Sequence, residues 1–408
     1  MDFAVGVGLE STLDILITFP DSESFEEFAH SYQGDLSPYL ERGYKTVSRG
    51  SGGEEPIDGM EKEAEDLLES AKEMGAEISY SLGGNSSQEA VTLANLGVET
   101  IFLGSLFPDL LSKLNPKDRG KLENTDTRFA KRFEQYSPSS YILQAPGTNR
   151  YILTEGKGRR IDQLRSHLKE LPDIVGEISD SYSNFEALSL VGWHVIFGMG
   201  LSKEDLQLTS RVIRKIREEN DILLFTDAGG MEAFNRTDKK RLCELYSLFD
   251  IVSVNEDEVM QIIQVLDSDH REEIDSMRDI LDCGESSSTV WLHTPNYQVS
   301  LSSAFSRKTL EEAQTVAALA GLYKAENGGY PSIEDLFKLR RSREFSEAGL
   351  EKVEAIKDQY GKNFGGYELA SSPCFNLEKF FSTIGTGDVS AGAYLYSLLE
   401  TTLSNDKG

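Results

Sequence analysis

Near the carboxyl end of the chain, Gly385, Thr386 and Gly387 precede Asp388 and a run of small and apolar residues. The first N–H groups of a helix lack intrahelical partners and lie at its positive end, so a glycine-rich turn that begins a helix can bind an anion closely. Asp388 beside such an anion is placed to take a proton from an attacking hydroxyl. A glycine turn in which Asp388 only caps a core helix has the same local sequence. The small residues at 391–393 favour phosphoryl transfer, because they let the helix pack tightly below the site.

A second pair of polar residues, Asn255 and Glu258, lies at the start of another predicted helix. Residues three apart share a helix face, and oxygen ligands of this kind suit the water shell of Mg²⁺, which dehydrates reluctantly. An Asn-x-x-Glu sequence before an apolar run is also a helix capping box. Taken alone, the spacing favours the cap.

Two further features suit a polyol. Gly83 and Gly84 end a predicted strand and Asn85 opens the next helix; its carboxamide both donates and accepts hydrogen bonds, as a sugar hydroxyl requires, although an ordinary strand-to-helix turn has the same residues. Asp14 interrupts an apolar strand, where an unpaired buried carboxylate would be costly. Asp14 therefore either faces solvent or accepts hydrogen bonds from a polyol.

Two weaker groups remain. Polar residues interrupt or end the strands near 190 and 293, where they either line a ligand cleft or form turns: His194, His293, Thr294, Asn296 and Tyr297. Basic residues concentrate near a predicted hairpin, where they either clamp a phosphate or cover a solvated hairpin tip: Arg150, Lys157, Arg159 and Arg160.

The elements that position these residues alternate between strands and helices. Residues 77–106 are typical of a strand–helix–strand unit, 139–161 of an antiparallel hairpin, and 288–301 of a strand or a hairpin around Pro295. From residue 187 onward the pattern predicts a parallel, helix-flanked sheet, and the charged segment 340–365 is expected to be mobile. We expect a smaller β-rich part built from two early excursions of the chain, with a cleft between the two parts.

Composition limits the function classes. The 408 residues suggest two domains or one large α/β domain with an insertion. With 69 acidic and 41 basic residues the net charge is −28, which argues against a nucleic-acid groove and against binding to anionic membranes. Three well-separated cysteines without a CxxC pair, no basic leader and no apolar run of about 20 residues favour a cytoplasmic protein.

Several common nucleotide-binding signatures are missing. The sequence contains no GxxxxGK[ST] loop, no HRD/DFG pair and no GxGxxG at a first strand–helix turn. A Walker-type NTPase, a protein kinase and a standard Rossmann dehydrogenase would each lack their defining motif.

In chain order, Asp14, the GGN sequence at 83–85, NEDE at 255–258 and GTGD at 385–388 resemble the ribokinase-like sugar kinases. More narrowly, the segments LVGWHVI, VSVNEDEV, VWLHTPNYQVSL and TIGTGDVSAGAY are similar to the archaeal ADP-dependent glucokinase/phosphofructokinase family. The resemblance implies a ribokinase-like three-layer α/β fold with a central, mostly parallel sheet and a smaller β-rich lid. It places the large nucleotide-binding domain at 1–16, 76–125 and 183–408, and the lid at 17–75 and 126–182.

The same resemblance implies roles for the residues that match. Asp388 would be the catalytic base and the N–H groups of Gly385, Thr386 and Gly387 the anion hole. The remaining implied sites are a metal site for Mg²⁺ (Asn255, Glu258 and Asp388), a sugar site (Asp14, Gly84 and Asn85) and a nucleotide site (His293, Thr294, Asn296 and Tyr297).

Two stretches depart from the family pattern. GGN is followed by SSQEA where the family more often has a glutamine- and glycine-rich version, which leaves the sugar preference open. FTDAGG stands where a His-x-Glu strand end is expected, so Asp227 is a candidate substitute in the metal shell.

The resulting hypothesis is a Mg²⁺-dependent sugar kinase that moves a phosphoryl group from ADP to glucose or fructose 6-phosphate. The alternatives are an ATP-dependent ribokinase-like kinase for a sugar or nucleoside, and a non-catalytic sugar or nucleotide sensor on the same fold. The preference for ADP comes from the resemblance alone, and the sequence fixes neither the acceptor sugar nor the oligomeric state.

Overall fold

The structure is a computed structural model. It describes residues 3–49, 52–57, 59–114, 116–133, 139–146, 148–155, 161–193, 202–229, 231, 234–266, 272–379, 381 and 384–406. His194, Lys157, Arg159 and Arg160 lie outside the described residues.

A nine-stranded sheet forms the centre of the larger part of the molecule, in the order β15-β16-β14-β13-β12-β11-β10-β1-β5. The neighbours from β5 to β13 pair in parallel, whereas the pairs beyond β13 are antiparallel. The strands are β1 (Ala4–Gly8), β5 (Glu99–Phe102), β10 (Phe185–Leu190), β11 (Leu223–Asp227), β12 (Ile251–Val254), β13 (Thr289–His293), β14 (Tyr297–Ser302), β15 (Asn363–Phe364) and β16 (Tyr367–Pro373). The predicted hairpin around Pro295 is therefore present, formed by β13 and β14.

Both faces of this sheet are apolar because successive side chains of each strand point to opposite faces. Phe225 and Trp291 belong to one buried cluster and their chain neighbours Leu224 and Val290 to the other. Helices cover both faces, which gives the expected three layers. They are α1 (Ser22–Ser31), α2 (Ser37–Val47), α3 (Glu61–Glu73), α4 (Asn85–Asn95), α5 (Pro108–Lys113), α6 (Pro116–Glu123), α7 (Ile161–Ser181), α8 (Lys203–Glu219), α9 (Arg236–Tyr246), α10 (Glu256–Leu266), α11 (Glu273–Cys283), α12 (Arg307–Asn327), α13 (Ile333–Ser342), α14 (Glu347–Tyr360) and α15 (Thr386–Asp406).

A second sheet of five strands forms the smaller part, in the order β3-β9-β8-β2-β4. Its strands are β2 (Thr12–Thr18), β3 (Gly53–Pro56), β4 (Glu77–Gly83), β8 (Ser139–Gln144) and β9 (Tyr151–Thr154). The expected hairpin is the antiparallel pair of β8 and β9. A separate two-stranded sheet joins β6 (Ser105–Leu106) and β7 (Lys131–Arg132).

Three expectations about organisation differ from the structure. β4 pairs with β2 in the small sheet and β5 with β1 in the large one, so residues 77–106 are not one strand–helix–strand unit of a single sheet. Two of the expected domain boundaries differ from the structure as well. The segment from residue 76 was assigned to the large domain, but β4 joins the small sheet. Residues 126–182 were assigned to the lid, but α7 packs on α8 of the large part. The charged segment 340–365 contains α14, which packs on β16 and buries Val353 and Ile356.

The parallel strands and the small sheet meet where the functional candidates lie. Parallel strands bring their carboxyl ends to one edge of a sheet, and β11, β12 and β13 end there at Asp227, Val254 and His293. Helices α4 and α15 pack against each other and begin at Asn85 and Thr386. Among the described residues, no helix is long and apolar enough to span a membrane.

Candidate active site

A cleft of about 760 Å³ lies at this edge, between the large sheet and the small one. Ten of the thirteen residues to which the resemblance gives a site role line it: Asn85, Asn255, Glu258, His293, Thr294, Asn296, Gly385, Thr386, Gly387 and Asp388. The other three, Asp14, Gly84 and Tyr297, are not part of the lining. Residues far apart in sequence are therefore brought together as the motifs predicted.

The contact between Asn85 and Asp388 joins the starts of two helices. Asn85 Nδ2 donates to Asp388 Oδ1 over 2.7 Å, across 303 residues of sequence. Gly84, just before α4, has φ +84°, and a Cβ there would lie 2.8 Å from the Cα of Ser11. Gly84 thus lets the start of α4 approach the loop after β1, which places Asn85 on the carboxylate.

The turn before α15 has the geometry of an anion site. Gly385 has φ +67°, and a Cβ at this position would overlap the buried carboxamide of Gln88. The first N–H groups of α15, including those of Gly387 and Asp388, point out of the helix end. Because Gly387 and Asp388 line the cleft, an oxyanion bound beside this helix start would be stabilised.

Burial changes the acid strength of Asp388. Desolvation and the nearby carboxylate of Asp227 raise its pKa to about 6, against the effects of Asn85, Lys324 and Arg150. A carboxylate with a pKa near the working pH is ionised at neutrality yet can accept a proton during a reaction. Asp388 has the position and the pKa of a general base.

Asn255 and Glu258 form the capping box that was the alternative explanation of their spacing. Asn255 Oδ1 accepts from the Glu258 N–H, and Glu258 Oε2 accepts from the Asn255 N–H, both over 2.9 Å. Both residues also line the cleft, so capping and a ligand-facing position occur together. Within the described ranges, no three His, Cys, Asp or Glu side chains are close enough to hold a metal ion directly.

Asp227 is the last residue of β11 and lines the same cleft. Its Oδ1 is buried without a hydrogen-bond partner and lies 3.8 Å from His293 Nε2. The His293 pKa is lowered by burial but raised overall by Asp227, Glu258 and Glu256. His293 and Asp227 therefore form a polar pair in the floor of the cleft.

The rest of the hairpin divides between the cleft and the interior. The Thr294 hydroxyl accepts from the Tyr297 N–H over 3.0 Å and holds the turn, and Thr294 and Asn296 line the cleft. The Tyr297 hydroxyl instead donates to Glu273 over 2.6 Å on α11. The Tyr297 hydroxyl is thus committed to a structural contact on α11.

On the small-sheet side, Asp14 is buried behind the lining. The Thr12 hydroxyl lies 3.3 Å from its Oδ1, and desolvation raises the pKa of Asp14 to about 7. Arg150, Lys324 and Asp388 all act electrostatically on Asp14, so it lies close to the Asn85–Asp388 pair. Arg150 and Glu54 of the small part line the cleft itself.

Sequence reasoning missed part of this site. The unassigned lining includes the segment between β16 and α15 and one face of α12: Cys374, Phe375, Asn376, Leu377, Ala318, Gly321, Leu322 and Ala325. One of these residues, Gly321, could have been found from the sequence. In the structure, a Cβ at this position would lie 2.5 Å from Ser390 Oγ of α15. A glycine inside a long helix often marks such a close approach.

Comparisons with known proteins agree with this geometry. The family model described as "ADP-specific Phosphofructokinase/Glucokinase conserved region" matches residues 40–396. A phosphofructokinase from Pyrococcus horikoshii OT3, solved with AMP, has a TM-score of 0.73 at 15% identity, over 98% of this chain and 99% of the other. An ADP-dependent kinase in complex with fructose 6-phosphate and ADPβS gives 0.72 at 16% identity, over 97% and 93%.

A more distant fold relative is adenosine kinase from Schistosoma mansoni in complex with 2-fluoroadenosine. Its TM-score is 0.50 at 14% identity, over 75% of this chain and 79% of the other. No curated protein sequence matches this chain. The similarity to solved structures confirms the ribokinase-like three-layer fold expected from the sequence.

The geometry of Gly385 can be tested with two alanine variants. Gly385→Ala and Gly361→Ala both place a side chain at positive φ, but Gly361 has no neighbour within 4 Å of the new Cβ. We expect Gly361→Ala to lower the free energy of unfolding by about 1–3 kcal/mol through backbone strain, and Gly385→Ala to lower it further because its Cβ also overlaps Gln88. Only Gly385→Ala should also abolish nucleotide binding, because the new Cβ displaces the turn or Gln88. Urea titration and calorimetry measure the two effects, and equal nucleotide affinity in both variants would contradict the assignment.

The acid limb of the pH–rate profile should report Asp388. A base with a pKa of about 6 is ionised above that pH, so kcat/KM should fall as the pH drops through 6. The Asn85 hydrogen bond lowers this pKa, and Asn85→Ala should therefore move the limb to higher pH.

The control for this shift is Asn95→Ala. Asn95 lies on the same helix but donates to the Tyr330 carbonyl, so its removal should leave the limb in place. A limb that does not move in Asn85→Ala would show that another group controls it.

The buried Asp14 carboxylate should lower the free energy of unfolding at alkaline pH. Its folded-state pKa of about 7 exceeds the reference value of 3.8, so stability is fully present below pH 4 and declines as the pH rises through 7. Asp14→Asn should therefore be more stable than the wild type at pH 8, by about 4 kcal/mol, and equal to it at pH 4.

The exposed Asp21 provides the matched control, because its hydrogen bonds to Ser24 lower its pKa. Asp21→Asn should give no gain at pH 8. Thermal denaturation at both pH values measures the difference, and a loss of stability in Asp14→Asn at pH 8 would show that the buried carboxylate is stabilising.

Proposed function

The chain belongs to the ADP-specific phosphofructokinase/glucokinase family, and we propose that it is an ADP-dependent kinase whose acceptor is an uncharged hexose such as glucose. ADP-dependent sugar phosphorylation is the activity of that family. The observation that carries the assignment of the reaction centre is the contact of Asn85 with Asp388 beside the N-terminus of α15. It combines a base and an anion site in one cleft, which binding alone does not require.

The chain's own residues supply positioning and proton transfer. A sugar hydroxyl beside Asp388 loses its proton to the carboxylate as its oxygen attacks the terminal phosphorus of ADP. The bond from that phosphorus to the bridging oxygen breaks, and AMP leaves with the bridging oxygen. The N–H groups at the start of α15 hold the migrating phosphoryl group and stabilise its charge. Asn85 keeps the Asp388 carboxylate oriented, since one of its oxygens accepts the carboxamide hydrogen bond.

The acceptor end of the cleft favours an uncharged sugar. Arg150 is the cation that lines this end, and Asp14, Asp388 and Glu54 all act on it electrostatically. A sugar phosphate would have to compete with these carboxylates for the guanidinium, whereas a neutral polyol can donate hydrogen bonds to them. Fructose 6-phosphate, bound by the similar ADP-dependent kinase, is the alternative acceptor.

The opposite end of the cleft suits a nucleobase. Ala318, Leu322, Ala325, Phe375 and Leu377 give it an apolar wall, and Asn296, Ser346 and Asn376 provide polar edges. Such a mixture is typical of sites that stack a base and read its edge. We place the base of ADP here, with its phosphates directed at the start of α15.

Magnesium fits the chemistry of the acidic side of the cleft. Asp227, Asn255, Glu256, Asp257 and Glu258 line it, and the buried Asp227 Oδ1 has no hydrogen-bond partner. Because the described carboxylates do not converge on one point, they suit a hydrated Mg²⁺ held through its waters. The ion would neutralise phosphate charge, and Asp227, Asn255 and Glu258, with Asp388, are the residues we propose to hold it.

The test is a coupled assay that crosses ADP and ATP with glucose and fructose 6-phosphate, with and without a chelator. We expect turnover with ADP and glucose that needs Mg²⁺. Asp388→Asn should lower kcat by at least about 10³-fold while ADP still binds by calorimetry. Turnover that survives in Asp388→Asn would refute the role of Asp388, and ADP binding without turnover in the wild type would favour a sensor.

The acceptor is decided in the same assay. Preference for fructose 6-phosphate would mean that cations outside the described residues, such as Arg159 and Arg160, complete a phosphate site. In that case Arg159→Ala and Arg160→Ala should raise the KM for fructose 6-phosphate and leave the KM for ADP unchanged.

A further inference from the structure

Two parts of the chain form the apolar end of the cleft. Helix α12 contributes Ala318, Leu322 and Ala325, and the segment between β16 and α15 contributes Phe375 and Leu377. A planar base packed between two such surfaces needs them about 7 Å apart, which is twice the usual contact distance. The contacts that hold the segment relative to α12 therefore decide whether this end of the cleft accepts a base.

The segment is fastened at its beginning to the residues that follow α13. The Asn376 N–H donates to the Glu344 carbonyl over 2.9 Å. The Phe345 ring stacks on Phe375 with 4.6 Å between ring centroids. These contacts join the segment to the end of α13, and α12 takes no part in them.

A buried ion pair supplies the joint to α12. Glu326, in the last turn of that helix, has a side chain that is only 1% exposed. Its Oε1 accepts from the Glu378 N–H over 2.9 Å, and its Oε2 accepts from the Arg343 guanidinium over 2.8 Å. Arg343 follows α13 directly and also pairs with the Glu378 carboxylate. One carboxylate thus joins α12, α13 and the segment at a single point.

The chemistry of this pair suits a spacer. Desolvation opposes the ionisation of Glu326, but the Glu378 N–H and the Arg343 guanidinium outweigh it and lower the Glu326 pKa. A buried ion pair adds little net stability, because apolar side chains of similar size often replace it without loss. Its charge-assisted hydrogen bonds nevertheless have defined lengths and directions, which an apolar contact lacks. The pair is therefore better suited to fixing a distance than to strengthening the fold.

From this arrangement we infer that Arg343 and Glu326 are a positioning pair for the nucleobase. They hold the wall of Phe375 and Leu377 at the distance from α12 that a stacked base requires. The inference rests on the proposed function, which places the base of ADP at this end. Neither Arg343 nor Glu326 lines the cleft, so the pair acts on nucleotide affinity and not on phosphoryl transfer.

Calorimetric titration with ADP and steady-state kinetics of the full chain test the inference. In Glu326→Gln the carboxamide cannot accept hydrogen bonds at both ends, so the joint to Arg343 or Glu378 is lost. The KM and the dissociation constant for ADP should rise about 10-fold, the size expected when one stacking face is lost. The kcat and the KM for the hexose should change less than about twofold.

The matched control is an exposed ion pair between the same two helices. Arg340 of α13 donates to Glu312 of α12 over 3.0 Å, and their side chains are 45% and 40% exposed. This pair does not contact the segment between β16 and α15. Glu312→Gln should therefore leave the KM for ADP unchanged.

A double variant separates positioning from stability. Glu326→Met combined with Arg343→Met fills the same space with apolar side chains, so the free energy of unfolding should stay near that of the wild type. Its ADP affinity should still fall as in Glu326→Gln, because the Glu378 N–H loses its acceptor. This variant also decides the question if Glu326→Gln does not fold.

The outcomes separate this inference from the proposed function. Unchanged ADP affinity in the folded double variant would show that the pair has a structural role only, and would overturn the inference. A fall in kcat at unchanged KM for ADP would overturn it as well, because the effect would then lie at the reaction centre. A wild type that does not bind ADP, or that does not phosphorylate a hexose from ADP, would refute the proposed function itself.

Discussion

The hydrogen bond from Asn85 to Asp388 is the constraint on which the rest of the site depends. It requires two helices that start 301 residues apart, at Asn85 and Thr386, to begin at the same point. Both helices pack on one face of the large sheet, and the strand before α4 belongs to the small sheet. One contact therefore links the orientation of the Asp388 carboxylate to the way the small sheet joins the large one.

The site around this contact lowers the stability of the fold, because it keeps carboxylates away from water. Asp14, Glu89 and Asp388 all have raised pKa values, and burial is the largest cause in each case. Glu89 lies one helical turn beyond Asn85, 1% exposed, and accepts a hydrogen bond from Ser189. A stability-driven sequence would place apolar side chains at such positions. The cost is consistent with a site organised for a polar ligand rather than for packing.

The sequence predicted the parts of the site that local patterns specify. Gly385 and Asp388 were found because an anion site at a helix start needs residues adjacent in sequence. The sequence did not predict that β4 belongs to the small sheet, because a local strand–helix–strand pattern does not specify which sheet its strands join. In the structure, β4 pairs with β2 across 58 intervening residues. Gln88 was missed because its contact with Gly385 is set by the packing of α4 on α15. Tyr297 was expected in the nucleotide site, whereas its hydroxyl donates a hydrogen bond to Glu273 on α11.

The large negative charge of the chain and its affinity for an anionic nucleotide are compatible only if the binding is local. The net charge of −28 creates a repulsive field for phosphates at long range. Screening limits that field to about 10 Å at ordinary salt, whereas the helix N–H groups that we propose as the phosphate site would act at contact distance. Under the proposed Mg²⁺ dependence, the carboxylates of the cleft would attract the divalent cation of a metal-bound nucleotide and repel the phosphates of the free anion. The same charges would therefore favour the metal-bound nucleotide over the free one.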